Sequence, residues 1–271
     1  ARQTAPTISL CSATRERPGV SENVAIIENE GVVEIHLDRP DKKNALTGAM
    51  YRAMIAALAD ASAREAVGAV LIAGRGDAFC AGNDLADFRA GPEGGAAAFD
   101  FIQAIAAFDK PLVAAVQGLA VGVGTTMLLH CDLIYAAPDA RFILPFVNLG
   151  LVPEAGSSLL TPAILGHAKA AAMLLLGEPL DAEAADRAGL ITAIIPSEAL
   201  IDHARTKAAA LVAKPPRALT ATRRLMKGDP ALLASRMQQE AALFRQAMAS
   251  PEAVEAFTAF FEKRPPVFRR D

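Results

Sequence analysis

At 271 residues the chain is long enough to bury a substantial apolar interior, as one large domain or as a core with a smaller appendage. Its 52% hydrophobic and 21% charged residues are those of a folded globular protein, and alanine occurs in long helix-favouring runs. A formal net charge of -3 offers no global field for a polyanion, which argues against nucleic acid as a main partner. No apolar stretch reaches the length of a membrane span, so no membrane partner is expected. Cys11, Cys80 and Cys131 lack metal-ligand or redox spacing, and their pattern suits reduced thiols in the cytoplasm or an organellar matrix.

Residues 1–20 lack the compact apolar region of a signal peptide and read as a flexible extension. The runs VAIIE at 24–28 and VVEIHL at 32–37 are strand-like, and Asn29–Gly31 between them reads as a hairpin turn. The segment LDRPDKKNALT then breaks regular structure. Thr47 is placed to cap a helix over 48–65, on which Met50, Met54, Ile55 and Leu58 recur at helical spacing. Residues 68–73 form the next apolar strand, followed by a glycine-rich loop and a helix near 96–108. Residues 111–118 and 132–136 read as further buried strands. This alternation predicts an α/β fold of stacked units with parallel pairing. Beyond Asn148 the pattern turns helical, over 155–165, 167–176, 181–188, 197–213, 217–227, 231–248 and 251–260, with one β-like run at 190–195. The chain thus divides into the extension, an α/β core over 21–200 and a helical region over 201–271.

Two glycine-rich turns, AFCAGNDL at 78–85 and QGLAVGVG at 117–124, each follow a strand-like run. Backbone N–H groups in such turns, and at a helix start, can meet the negative charge that grows on a carbonyl oxygen. Either turn by itself is equally an ordinary tight turn. Asp84 reads as a turn or cap residue, and Asn83 could close a turn through its side chain. Glu154, after Pro153, could serve chemistry or could simply face the N–H groups of a helix start. Ser157 and Ser158 have no nucleophile elbow around them and suit helix-start hydrogen bonds. The four histidines, His36, His130, His167 and His203, lack a short-spacing zinc pattern, so neither a metal nor a redox cofactor is expected.

Taken together, LDRPDKKNAL at 37–46, GRGDAFCAGNDL at 74–85, PLVAAVQGLAVGVG at 111–124, CDLIYA at 131–136 and LGLVPEAGSS at 149–158 resemble the enoyl-CoA hydratase/isomerase (crotonase) family over about residues 24–260. The resemblance implies a crotonase-like spiral of ββα units with a C-terminal helical region. It implies an acyl-CoA substrate, with coenzyme A carried as part of the thioester. It assigns the oxyanion donors to the N–H groups of Asn83 and Val123, the latter in the trio Gly122, Val123, Gly124. The two glutamates of a hydratase align with Thr126 and Phe146, neither of which is a carboxylate, so two-carboxylate hydration is disfavoured. Glu154 resembles the single acid/base of the Δ3,Δ2-enoyl-CoA isomerase branch, which implies isomerisation of 3-enoyl-CoA to trans-2-enoyl-CoA by one proton shuttle. The alternatives are another crotonase-type acyl-CoA reaction, such as hydration, ring isomerisation or thioester hydrolysis, and a nonenzymatic acyl-CoA-binding protein. For the coenzyme, the resemblance points to Lys42, Lys43, Ala81 and Lys263, and for assembly to a homotrimer or hexamer.

Overall fold

The computed structural model describes residues 15–86 and 92–268. Strands β2 (Val24–Asn29) and β3 (Val32–Leu37) pair antiparallel across a turn in which Glu30 and Gly31 both take positive φ, 45° and 84°. Two left-handed residues give the turn a twist that matches the strands. Strand β1 (Arg15–Ser21) adds to β2, so the end of the expected extension is a sheet edge; residues 1–14 lie outside the described residues. Beyond β3 the pairing is parallel, through β4 (Ala69–Gly74), β5 (Leu112–Val116), β7 (Leu133–Ala136) and β10 (Ala193–Ile194). The order in this sheet is β1-β2-β3-β4-β5-β7-β10.

Both faces of the sheet are covered, which is why β3, β4 and β5 are buried along nearly their whole length. On one face Val33, Ile35, Leu37, Val70 and Ile72 join the main core beneath helices α1 (Gly48–Ala63) and α2 (Pro92–Ala107). The expected cap at Thr47 is present, its side chain accepting from Met50 N, and Met50, Met54 and Leu58 are buried. On the other face Val32, Leu71, Val113 and Tyr135 meet α7 (Leu200–Val212) through Leu200, Ala204 and Ala208. Glu34 and His36 share that face with Val32. Arg205 of α7 closes on Glu34 with Nε at 2.9 Å from Oε1 and Nη2 at 3.0 Å from Oε2, and His36 Nε2 lies 2.7 Å from Oε2.

The run expected as one strand over 111–118 ends early. Gly118 takes φ 55°, where an added Cβ would sit 2.0 Å from Asp77 O, and the chain leaves β5 for a second sheet. That sheet is β6 (Leu119–Val121), β8 (Arg141–Ile143) and β9 (Leu180–Asp181), in the order β6-β8-β9. Helix α3 (Val123–Thr126) follows β6 directly and passes into a 3-10 turn, Met127–His130.

The remaining helices are α4 (Ser157–Leu165), α5 (His167–Leu176), α6 (Ala182–Ala188), α8 (Pro216–Lys227), α9 (Pro230–Met248) and α10 (Pro251–Glu262). Three of them open on proline, where a missing N–H costs no helical bond, and Asp229 and Ser250 cap the last two. Among the described residues no helix is long and apolar enough to cross a membrane.

Candidate active site

The two glycine-rich turns lie beyond the carboxyl ends of the parallel strands β4 and β5 and are laced together. Cys80 N donates to Leu119 O and Val121 N returns to Cys80 O, both at 2.9 Å. The approach requires glycine on each side. A Cβ on Gly82 would lie 2.9 Å from Val121 O, and one on Gly124 would lie 2.6 Å from Cys80 O.

Leu46 fixes the first of the expected donors. Its N–H reaches Gly82 O at 2.8 Å and its carbonyl accepts from Asp84 N at 2.9 Å, a parallel bridge that turns the Asn83 N–H to the opposite side. Val123 opens α3, where an N–H has no acceptor within the helix. Among the described residues neither N–H is engaged by a carbonyl, and both residues line one cavity. The Asn83 side chain closes no turn; its Oδ1 accepts from the Tyr51 hydroxyl at 2.5 Å. Asp84 takes the turn role instead, accepting from Ala86 N at 3.0 Å while pairing with Arg39 at 2.7 Å. Tyr51 and Asn44 were not singled out by sequence. Asn44 is fully buried and braces this corner, donating to Arg75 O and Ala78 O and accepting from Arg39 N.

The cavity is about 680 Å³ in volume, of a size for a small-molecule ligand. Its walls include Val121, Phe146, Leu149, Leu151, Phe244 and Phe257, and Phe260 and Phe261 stand at the end of α10. Lys42 and Ala81 line it. Lys43 does not: it is the left-handed close of a 3-10 turn, and its carbonyl holds Ala81 N at 2.9 Å. Lys263 also lies outside the lining, as the left-handed cap of α10.

Glu154 lines the same cavity yet is only 5% exposed. The helix expected from about residue 155 begins at Ser157 with Gly156 as its cap, so Glu154 precedes the first turn rather than facing its N–H groups. Ala155 and Gly156 take φ of 60° and 72°, a left-handed pair that turns the chain between the carboxylate and α4. Oε1 of Glu154 accepts from the Thr126 hydroxyl at 2.6 Å, while Oε2 is buried with no partner among the described residues. Burial pushes the carboxyl up to about 8, against the Thr126 hydrogen bond and with some help from the charge of Glu240. Phe146 is buried at the cavity wall. The two positions aligned with a glutamate pair therefore hold a hydroxyl engaged by Glu154 and a hydrocarbon ring. Among the described residues no group of three histidine, cysteine or carboxylate side chains could hold a metal ion.

Residues 27–271 match the model of the enoyl-CoA hydratase/isomerase family. Enoyl-CoA delta isomerase 2 of Rattus norvegicus is 34% identical over 90% of this chain, which spans 65% of that protein's length. A probable enoyl-CoA hydratase of Rhodobacter capsulatus is 36% identical over 89% of this chain and 95% of its own. Among solved structures, an enoyl-CoA hydratase/isomerase from Pseudoalteromonas atlantica superposes with TM-score 0.86 at 38% identity, covering 92% of this chain and 100% of that one. Relatives named for hydration and for isomerisation both occur, so the likeness does not single out one branch.

Proposed function

The chain belongs to the enoyl-CoA hydratase/isomerase family, enzymes of crotonase-type acyl-CoA chemistry, and within it we propose that it isomerises 3-enoyl-CoA to trans-2-enoyl-CoA with Glu154 as its single proton carrier. The observation that carries this reading is that, among the described residues, the cavity holds a single unpaired carboxylate. Of the charged groups lining the cavity, Asp84 is paired with Arg39 and Lys42 is a cation, which leaves Glu154 with a free buried oxygen. In the proposed reaction Oε2 takes a proton from C2, and the C–H electron pair passes through C1 to the thioester oxygen. The N–H groups of Asn83 and Val123 hold that oxygen as its charge grows. The dienolate collapses as C4 takes the proton back, leaving the double bond between C2 and C3. A carboxyl held near 8 suits both halves, since the base must return the proton it removes.

Hydration fits less well. It needs a water held and deprotonated, whereas the Thr126 hydroxyl is engaged by Glu154 and Phe146 offers no acceptor. Glu154→Gln should lower kcat for 3-enoyl-CoA by ~10²–10⁴-fold and leave the binding of a saturated acyl-CoA intact. Activity retained in that variant would refute the proposal. For the coenzyme we infer a role for Lys42 and the backbone at Ala81, since both residues line the cavity, while Lys43 and Lys263 would contribute only by moving toward it. A homotrimer or hexamer is proposed as well, supported by Leu175 of α5 and by Leu225, Met226 and Val254 of the C-terminal helices, all of which are exposed. Sedimentation of the purified chain as a monomer would refute that assembly.

A further inference from the structure

The turn that carries Glu154 has a support that neither the reaction nor the family motifs assign. Ala155 is a non-glycine residue in the left-handed region, beside a second left-handed residue, and such a pair persists only where its surroundings over-determine it. Helix α9 provides those surroundings. Its residues Leu233, Met237, Glu240 and Phe244 recur at helical spacing along one face. Leu233 and Met237 are the side chains nearest the position a Cβ of Gly156 would take, and Phe244 lines the cavity. Between them Glu240, only 5% exposed, accepts from Gly156 N at 2.6 Å through Oε2, and from Ser158 N at 2.9 Å and the Ser158 hydroxyl at 2.5 Å through Oε1.

We propose that Glu240 is a positioning residue for catalysis, whose carboxylate locks the Glu154–Gly156 turn from α9 and so aims the proton carrier at the bound substrate. This inference rests on Glu154 being that carrier. Three donors converge on the two oxygens, so Glu240 works as an acceptor only, and a charged one. Among the described residues the other charged or titratable groups at this turn are few. His130 donates from Nε2 to Ala155 O at 2.9 Å and is kept neutral by burial, which pushes it down to about 4. Lys227 reaches the His130 carbonyl at 3.1 Å, and Arg236 reaches the Ser158 hydroxyl at 3.3 Å. Among the described residues Glu240 is the negative charge acting on Glu154, and it disfavours ionisation of its neighbour.

The test compares Glu240→Gln and Glu240→Asp with Glu154→Gln, measuring kcat and KM for 3-enoyl-CoA across pH and the affinity for a saturated acyl-CoA. Gln presents an amide N–H to one of the backbone donors, so the turn should loosen and kcat should fall at least about tenfold, with acyl-CoA affinity within about twofold. Losing the neighbouring charge should also move the acid limb of kcat/KM to lower pH. Asp keeps the charge but is one methylene short, so it should lose kcat without moving that limb. If Glu240→Gln does not fold, the Asp variant decides by the same kcat comparison. Wild-type kcat and an unmoved limb in a folded variant would overturn the proposal, as would a loss of acyl-CoA affinity in step with activity. Should Glu154→Gln remain active, the isomerase reading itself fails; should it be inactive while Glu240→Gln behaves as wild type, only the positioning role fails.

Discussion

Replacing Gly124 with alanine should separate the two proposed oxyanion donors without touching any side chain in the cavity. The new Cβ would lie 2.6 Å from Cys80 O and 2.9 Å from Cys80 Cβ, against an ordinary contact that begins at 3.4 Å. The carbonyl would have to retreat by 3.4 minus 2.6, or 0.8 Å. That same carbonyl accepts the Val121 N–H at 2.9 Å, the bond that ties the Asn83 turn to the Val123 turn. Loss of one oxyanion donor costs ~10²–10³ in kcat, and a displacement approaching 1 Å is enough to forfeit much of it. We therefore expect kcat for 3-enoyl-CoA to fall about 10²-fold with KM little changed, because the donors act on charge present only in the transition state. Gly166→Ala is the control. Unlike Gly124 it takes a positive φ, 75°, which an alanine adopts only with strain, but nothing lies within 4 Å of its Cβ, so the change should lower Tm and leave kcat alone. A folded Gly124→Ala enzyme with kcat within about twofold of wild type would refute an oxyanion role for these turns.

Other outcomes follow from the same geometry. Thr126→Val removes the hydroxyl that steadies ionised Glu154, so the acid limb of kcat/KM should move to higher pH, and kcat/KM at pH 7 should fall by about tenfold; an unmoved limb contradicts the contact. In wild type, the same limb should rise with an inflection near 8, the value to which burial raises Glu154, and a profile already flat by pH 6 would contradict it. On the far face of the sheet, burial opposes ionisation of Glu34, but hydrogen bonds from His36 and Arg205 outweigh it and hold the carboxyl below its ordinary 4.5. A depressed folded value gives stability that is present above 4.5 and lost as pH falls through the folded value. Arg205→Ala should therefore lower stability at pH 7 by about 2–3 kcal/mol, less than for a fully enclosed pair because Arg205 is 38% exposed, and should flatten the loss of Tm in acid; a pH-independent deficit would argue against this linkage.

Much of this arrangement is legible in the residues, and the remainder fails for identifiable reasons. The strand-like runs 24–28 and 32–37, the cap at Thr47 and the apolar spacing of α1 are local signals, and each appears where the pattern puts it. The second sheet left no such signal. Its strands are two or three residues long, too short for a period of two, and Gly118 only marks the point where β5 is left behind. Strand β1 contains Pro18 and Gly19, which read as loop. Within the site, Asn83, Val123 and Glu154 line one cavity, whereas Lys43 and Lys263 stand outside it. Thr126 was legible only as a missing glutamate; its bond to Glu154 spans 28 positions. Glu240 reaches Gly156 across 84 positions, and nothing in the polar pattern of α9 distinguishes a buried acceptor from a solvated glutamate.

In the proposed reaction one carboxylate moves one proton and no water is activated. The decisive measurement incubates matched 3-enoyl-CoA and 2-enoyl-CoA substrates with the enzyme in deuterated water. The single-carrier site predicts rapid conversion of the 3-enoyl thioester to the trans-2-enoyl product, abolished by Glu154→Gln, and little hydration of the 2-enoyl thioester. Efficient hydration of the 2-enoyl thioester, with no positional isomerisation of the other, would contradict it.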